Sequence, residues 1–165
     1  MSELRTNKIY PRDGLPAGAS GGIIQVVEAF DYTKSDITST TLVDTGLSAS
    51  ITPTSASNKI LVYVSHNIYK NGTNNYMELA LFCNHGGSFA NIGYIDDLGA
   101  YSASTGAMSH RPNAMFLHSP ATTSTITYKT QCLVSGGGSM LINGDASGGD
   151  SERSRGSMVL MEVSG

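Results

Sequence analysis

The sequence has no tryptophan, few charged residues and no long hydrophobic run. Only 14% of its 165 residues are charged, and ten Lys and Arg against thirteen Asp and Glu give a net charge of −3. The cationic residues are dispersed, so the chain lacks the basic stripe with which proteins neutralise nucleic-acid phosphates. No apolar run approaches the ~18–20 residues of a membrane span. We therefore expect neither a nucleic-acid partner nor membrane insertion.

Cysteine is scarce, and the sequence shows no export signal. The first residues, MSELRTNKIYPRDG, are polar and charged and lack the apolar stretch of a signal peptide. Cys83 and Cys132 lie in segments that resemble strands. Because disulfides are rare in proteins that stay in a reducing compartment, we expect both thiols to be reduced and buried.

Small polar residues are abundant instead. Ser and Thr together number 37, and Gly numbers 19. Leu, Ile, Val and Phe total 35, or 21% of the chain, just above the ~20% below which highly charged chains stay disordered. Length and composition predict one domain with a thin hydrophobic core. A thin core favours an obligate oligomer, in which sister subunits would bury faces such as those of Leu61, Tyr63 and Tyr69.

Residues 1–22 differ from the rest of the chain and predict an extended arm. Prolines in this segment fix φ and remove backbone donors, while its glycines free the backbone. Ordering an arm of this length loses chain entropy, and contacts with a partner would offset that loss. Leu4, Ile9 and Tyr10 are the apolar residues that such a partner would contact.

Residues 23–165 carry strand-like patterns and predict an all-β body. In residues 47–52, Leu47, Ala49 and Ile51 alternate with polar residues, as in a half-buried strand. Residues 125–135 alternate in the same way, and residues 59–69 are apolar on both faces over their first half, as expected of a central strand. The other predicted strands cover residues 23–30, 40–43, 76–83, 111–118, 139–143 and 157–163.

These nine short strands have the ~8–12-residue spacing of sandwiches and barrels, and no segment shows a capped helical period. The dipeptide Asn71-Gly72 before the segment 76–83 predicts a hairpin. Glycine clusters at 18–22 and 136–138 match no phosphate-binding loop and are predicted turns. The fold prediction is an antiparallel β-sandwich, a jelly roll, with an extended N-terminal arm.

No pattern in the sequence predicts catalysis. Gly149-Asp150-Ser151 resembles a serine nucleophile in a turn, but no spacing ties a histidine base to Ser151, and the charged flanks favour a solvated hairpin. Asp96 and Asp97 would point to opposite faces of a strand, so hydration is favoured over a joint role at a glycosidic bond. We expect no enzyme, and depolymerisation of a polysaccharide is an unsupported alternative.

The four histidines, His66, His85, His110 and His118, form no metal-binding pattern. No His-x-His or His-x-x-x-His pair occurs and the cysteines are far apart, so a closed zinc site within one chain is not expected. Histidines from three chains could still meet on a trimer axis. His66 lies in the predicted central strand and is expected to be a hydrogen-bonded core or interface residue. No cofactor is expected.

Eight tyrosines without tryptophan favour rigid, amphipathic contact surfaces. Tyr69, Tyr76, Tyr94 and Tyr101, together with Asn71, fall near predicted loops. Tyrosine beside Asn and Ser is typical of a surface that contacts sugar or protein. These five residues are the candidate exposed contacts, and the alternative for each tyrosine is packing on an edge strand with its hydroxyl in water.

Several blocks of the sequence resemble bacteriophage tail-fibre-like virion proteins, above all those of marine phages and cyanophages. The start has a short polar lead, a Leu-x-Thr-Asn-Lys-Ile element at residues 4–9, an Asp-Gly turn and a Gly/Ala/Ser-rich tract leading into residues 23–27. Further blocks cover residues 41–53, 57–62, 118–129 and 159–163, in the same order and spacing. Together they span most of the chain.

The resemblance implies a non-enzymatic virion component, assembled in the host bacterial cytoplasm. Such proteins are similar to the jelly-roll trimers of the tumour-necrosis-factor and complement C1q class, with an arm that docks on the particle and a body that projects outward. The chain has room for one arm and one head, which implies a short fibre or knob that contacts a host-surface glycan or protein. The anchoring residues implied are Leu4, Ile9, Tyr10, Pro11, Arg12 and Asp13.

Two other roles fit the same sequence. A capsid decoration or tail adaptor of this size would bind other virion proteins and no receptor. A tailspike-like enzyme would cleave host glycan, although the sequence offers no catalytic pair for that reaction.

Overall fold

Twelve β-strands and no helix occur in the residues that the computed structural model describes, which are 22–73, 75–103, 107–144 and 154–165. The strands are β1 (Ile23–Asp31), β2 (Ser35–Ile37), β3 (Val43–Ile51), β4 (Lys59–Ser65), β5 (Ile68–Asn71), β6 (Asn75–Asn84), β7 (Phe89–Ser102), β8 (Ala107–His110), β9 (Asn113–His118), β10 (Ile126–Val134), β11 (Ser139–Ile142) and β12 (Gly156–Val163).

Eight of these strands form two antiparallel sheets with the strand order of a jelly roll. The first sheet has the order β1-β12-β4-β9, and the second has the order β3-β10-β6-β7. Counted from one to eight along the chain, these orders are 1-8-3-6 and 2-7-4-5, so most connections cross between the sheets. The predicted all-β, antiparallel sandwich is confirmed.

A third sheet extends the first one beyond an interruption. Its strand order is β2-β11-β5-β8. Each of its strands is next in the chain to a strand of the first sheet: β2 follows β1, β11 precedes β12, β5 follows β4 and β8 precedes β9. The third sheet therefore repeats the strand order of the first. We call the interruption the junction; its residues are 32–34, 66–67, 111–112, 143–144 and 154–155. The long strands of the second sheet pack against both the first and the third sheet.

The hydrophobic core accordingly has two parts. Between the first and second sheets, Leu47, Ala49 and Ile51 pack with Val62 and Leu160. Between the second and third sheets, Met77 and Val134 pack with Ile68, Met140 and Ile142. All the predicted inward residues of the two alternating segments are buried, which confirms the pattern; they are Leu47, Ala49, Ile51, Ile126, Tyr128, Cys132 and Val134.

A buried carboxylate ties the loop before β4 to the first sheet. Glu162 Oε1 accepts hydrogen bonds from Thr54 N at 2.6 Å, Thr54 Oγ1 at 2.8 Å and Asn58 Nδ2 at 2.6 Å. Its Oε2 accepts one from Gln25 Nε2 at 2.6 Å. Burial of the carboxyl raises its pKa, but these hydrogen bonds outweigh burial and hold the pKa at about 2. Glu162 is therefore ionised in the folded protein at neutral pH.

The hairpin predicted at Asn71-Gly72 is wrong. β5 pairs with β11 and β8, whereas β6 pairs with β10 and β7, so the dipeptide carries the chain from the third sheet to the second. Gly72 has a φ of +122°, which favours glycine. Lys70 Nζ is buried beneath the turn and donates to the Gly72 carbonyl and to Asn75 Oδ1, both at 2.6 Å. The turn is thus a crossover between two sheets that the buried Lys70 ammonium group stabilises.

Three strands were not predicted, one predicted strand is two, and the predicted segments 40–43 and 47–52 are the single strand β3. β2, β7 and β8 have no counterpart among the predicted segments. The pairing of β7 with β6 shifts register at several points. These shifts disrupt the alternation of apolar and polar residues from which a strand is predicted. The predicted strand 59–69 is interrupted at His66 and Asn67, which belong to the junction.

The described chain begins beside its own last residues. Gly22 N donates to Ser164 Oγ at 3.1 Å, and Ser164 N donates to the Gly22 carbonyl at 3.0 Å. Apart from Gly22, the predicted arm lies outside the described residues, and so do its anchoring residues and the Ser151 hairpin. The division into an arm of residues 1–22 and a body of residues 23–165 therefore stays a prediction.

Candidate functional site

The outer face of the first sheet is largely apolar. Because side chains alternate along a strand, every second residue of β1, β12, β4 and β9 points away from the core. The outward residues that are apolar are Ile24, Val26 and Phe30 on β1, Val159, Met161 and Val163 on β12, Leu61 and Tyr63 on β4, and Met115 and Leu117 on β9. We call this set the apolar face.

Strand register brings these side chains together in rows across the sheet. Val26 pairs with Met161, Met161 with Leu61, and Leu61 with Leu117. The next row joins Val159, Tyr63 and Met115 in the same way. Met115 is 67% exposed, Leu117 59% and Val26 56%, so the patch is open to solvent in the isolated chain.

The outer face of the second sheet differs in chemistry. Lys129 Nζ lies 2.7 Å from Asp44 Oδ1, and Gln131 Nε2 donates to the same carboxylate at 2.6 Å. Ser50 and Thr127 share a hydrogen bond of 2.8 Å between their hydroxyls. The two outer faces of one sandwich thus divide into a polar side, adapted to water, and an apolar side of the kind that marks an interaction surface.

At the junction, polar groups replace the regular ladder between strands. His66 N donates to the Pro112 carbonyl at 3.0 Å, and Asn143 N donates to the Asn67 carbonyl at 2.9 Å. Asn67 Nδ2 donates to the Gly144 carbonyl at 3.1 Å. Asn143 itself has a φ of +57°, a conformation that asparagine tolerates better than most residues. These bonds hold the two sheets together across the break.

His66 is the buried centre of the junction. Its ring is 1% exposed, and Nε2 lies 2.9 Å from Thr130 Oγ1, which in turn lies 2.6 Å from Thr45 Oγ1. Burial lowers the pKa of His66 to about 4, with the charge of Asp31 opposing that shift, so the ring is neutral at pH 7. The prediction of a hydrogen-bonded core histidine is confirmed.

Two buried polar atoms near Gly156 have no hydrogen-bond partner within the described part of the chain. They are His66 Nδ1 and Asn143 Oδ1. A Cβ placed on Gly156 would lie 3.1 Å from the first atom and 3.4 Å from the second, so both atoms border the backbone at this glycine. Buried polar groups in proteins normally have a partner, supplied by protein, water or a bound molecule.

A cavity of about 460 Å³ opens at the junction. Arg111 and Arg155 line it together with Tyr32, His66, Asn67 and three serines, and none of these eight residues is acidic. The Arg155 guanidinium lies 4.1 Å from the centroid of the Phe30 ring, and Arg155 Nη1 donates to Tyr32 Oη at 3.4 Å. Aromatic contacts therefore hold one of the two cationic groups in place.

Comparisons with known proteins assign no family. No protein-family model and no curated protein matches the chain. Among solved structures, the chain is similar to the structure of the infectious bursal disease virus Gx strain, with a TM-score of 0.44 and 13% identity over 86% of this chain and 37% of that one. For the VP2 subviral particle of infectious bursal disease virus, the TM-score is 0.42 with 11% identity over 84% and 39% of the two chains. The chain spans well under half of either structure's length, and at these TM-scores the likeness carries no functional argument.

The five predicted contact residues do not converge on one surface. Tyr69 lies on β5 and faces outward from the third sheet, and Asn71 ends the same strand. Tyr76 faces outward from the second sheet, on the opposite side of the sandwich. Tyr94 and Tyr101 lie within β7 and are exposed. Tyr94 lies in the interior of β7, so its predicted position near a loop is wrong, whereas Tyr101 is the penultimate residue of that strand.

The acidic pair and the remaining histidines have separate partners. Asp97 is exposed, whereas Asp96 turns towards β8, where its Oδ2 lies 2.6 Å from His110 Nε2. His118 Nδ1 lies 2.8 Å from Tyr128 Oη.

No group of three or more His, Cys, Asp or Glu residues that could hold a metal ion occurs among the described residues. Within the same residues, no helix is long and apolar enough to cross a membrane.

Both cysteines are buried and unpaired, as predicted. Sequence reasoning missed the junction and its arginines, because their proximity depends on five separate chain segments that meet only in the folded sheet. One signal was available. Ser65, His66 and Asn67 are three adjacent polar residues inside the otherwise apolar run from residue 60 to residue 69, which marks a break in the strand.

Proposed function

We propose that the chain is a structural protein of a virion, a short tail fibre or knob of a bacteriophage, that works as a homotrimer. The observation that carries this proposal is the apolar face of the first sheet. The resemblance of the sequence blocks to phage tail-fibre-like proteins supplies the kind of particle and the number of subunits.

The apolar face fits a second copy of this chain better than solvent. Full burial of one aliphatic or aromatic side chain contributes about 1.5–3 kcal/mol, and ten such side chains lie on this face. Charged groups on the same face are confined to its margins, with Glu28 on the edge strand and Lys59 at the end of β4. Such composition, an apolar centre with a polar margin, matches obligate interfaces between subunits.

The arm and the outer surface would divide the remaining work. Residues 1–22 would anchor the protein to other virion proteins through Leu4, Ile9, Tyr10, Pro11, Arg12 and Asp13. The body would project and contribute to host attachment through exposed residues such as Tyr94 and Tyr101. Three weak contacts in one trimer multiply into a firm attachment, so no deep pocket is required. On this proposal the protein is not an enzyme.

The interface is tested by placing charge on the apolar face. We expect Met115→Lys combined with Leu117→Lys to convert the oligomer to a monomer, because unpaired ammonium groups would be buried in the contact. Leu133→Lys is the matched control, since Leu133 faces outward from the second sheet and should keep the trimer. Light scattering and native mass spectrometry measure the mass. A wild-type chain that is monomeric at micromolar concentration overturns the proposal, and a dimer overturns the trimer alone.

The arm is tested by a chain that starts at Ile23. We expect this truncated protein to form the same oligomer and to be absent from particles assembled in infected cells. Normal incorporation would show that the anchor lies elsewhere.

Localisation on the particle separates the fibre role from its alternatives. Immunogold labelling at the tail supports the fibre or knob, whereas labelling over the capsid supports a decoration. A reducing-end assay with host polysaccharide addresses the tailspike alternative, and new reducing ends would overturn the non-enzymatic proposal.

A further inference from the structure

We infer that the cavity at the junction is a binding site for an acidic saccharide, a sugar unit that bears a carboxylate, sulfate or phosphate group. The inference deepens the host-attachment part of the proposed function by naming a ligand class and a site. It depends on that proposal only for the source of the sugar, because binding itself is a property of the purified protein.

Charge is the first reason. Arg111 approaches the cavity from the segment between β8 and β9, and Arg155 approaches it from the residue before β12. The described residues that line the cavity include these two arginines and no carboxylate. Guanidinium groups bind carboxylate, sulfate and phosphate oxygens through paired N–H donors and stay charged at every physiological pH.

The buried floor is the second reason. His66 lines the cavity and is almost wholly buried; Thr130 fixes its Nε2, and its Nδ1 has no partner among the residues that the structure describes. Because Thr130 fixes the ring, Nδ1 is pre-oriented towards the backbone between Arg155 and Ser157, two residues that line the cavity. The floor of the cavity is therefore a rigid polar side chain rather than a mobile one.

Size and shape favour a sugar over a bare anion. A cavity of about 460 Å³ lies within the range of ~300–1,000 Å³ that small-molecule sites occupy, and it far exceeds the space of one tetrahedral anion. Hydroxyl and amide groups from Ser154, Ser157 and Asn67 supply partners for sugar hydroxyls. The Tyr32 ring, 52% exposed, offers an aromatic surface beside them.

The site also lies at the edge of the apolar face. Ser65 and Ser157 line the cavity and pair with each other in the row of the first sheet that follows Tyr63 and Val159. A ligand would therefore bind where the interface between subunits ends, and each subunit of the oligomer would carry one site.

Isothermal titration calorimetry of the full-length protein with glucuronic acid, glucose and inorganic sulfate tests the inference. We expect glucuronic acid to bind, glucose to bind at least about tenfold more weakly, and sulfate to bind more weakly than glucuronic acid. Arg111→Gln and Arg155→Gln should each weaken binding of glucuronic acid at least about tenfold, because each removes hydrogen bonds to a charged group. Lys59→Gln, which removes a positive charge from the far end of β4, should leave it unchanged.

Several results would overturn the inference. Absence of binding by the wild-type protein, equal binding of glucose, sulfate binding as tight as that of glucuronic acid, or arginine variants that bind normally would each do so. Light scattering of the same samples keeps the two proposals distinguishable. A correctly assembled trimer that binds no acidic sugar refutes this site alone, whereas a monomer that binds it refutes the interface alone.

Discussion

Glu162 allows the sharpest test of how the first sheet is held together. Its carboxylate is buried, lacks a cationic partner among the described residues and accepts four hydrogen bonds from neutral donors. We predict that Glu162→Gln destabilises the protein although the two side chains have the same shape. The reason is that an amide can accept hydrogen bonds on one atom only.

The size of the effect follows from the donors around the carboxylate. If the new oxygen replaces Oε1, the new amide nitrogen faces Gln25 Nε2, and two donors meet. Rotation of the Gln25 amide would relieve that contact but would remove its bond to the Thr52 carbonyl, now 2.7 Å long. Either arrangement loses at least one hydrogen bond to a charged group, so the expected loss is about 2 kcal/mol at neutral pH. For a chain of this length the midpoint temperature falls by roughly 4–8 °C.

The pH dependence identifies the ionised carboxylate as the cause. The pKa of Glu162 is about 2 in the folded protein against an ordinary value of 4.5, so its contribution is fully present above about pH 4.5. It is lost as the pH falls from there towards 2, because the unfolded chain then binds the proton first. The difference in unfolding free energy between wild type and Glu162→Gln should therefore shrink over this window.

Chemical denaturation at one protein concentration, repeated from about pH 7 to about pH 2, measures this difference. Glu78→Gln is the matched control, since Glu78 faces outward from the second sheet on β6. The control should be as stable as the wild type within about 0.5 kcal/mol. A difference for Glu162→Gln that stays constant across the whole range, or a variant as stable as the wild type at neutral pH, would refute the reasoning.

Two further predictions concern buried titratable groups. His66 has a pKa of about 4 when folded and 6.5 ordinarily, so stability should fall as the pH drops between these values, and His66→Gln should flatten that part of the curve in denaturation experiments. A variant with the wild-type slope would contradict this. Burial raises the pKa of Cys83 to about 11 and of Cys132 to about 12, so neither thiol should react with Ellman's reagent until the protein unfolds. One equivalent of reaction in the folded state would contradict it.

Strands that alternate cleanly could be predicted from the sequence. In β3 and β10 the polar and apolar residues change places at every step, because one face meets the core and the other meets water. β7 has no such alternation. Its pairing with β6 shifts register on either side of Leu79 and again between Leu81 and Phe82, so successive side chains leave the period of two.

The third sheet and the cavity were out of reach for a different reason. β5 and β8 have only four residues each, too few to show a clear pattern, and they pair with each other although about 40 residues separate them in the chain. Arg111 and Arg155 are far apart in the chain and become neighbours only because β9 and β12 both border β4. Local pattern carries no information about such encounters, whereas the interruption at His66 and Asn67 was visible as three adjacent polar residues, 65–67, within an apolar run.

The fold shows where the chain places its few large apolar residues. β4 places Ile60, Val62 and Val64 in the core and Leu61 and Tyr63 on the outer face of the same sheet. A chain that folded and worked alone, with so little apolar material, would gain stability by placing polar residues at those outward positions, as β3 does on the second sheet. The sequence therefore distributes its apolar residues over two surfaces, one closed within the chain and one left for another subunit. This distribution is the physical reason why we expect the oligomer to be the stable form of the protein.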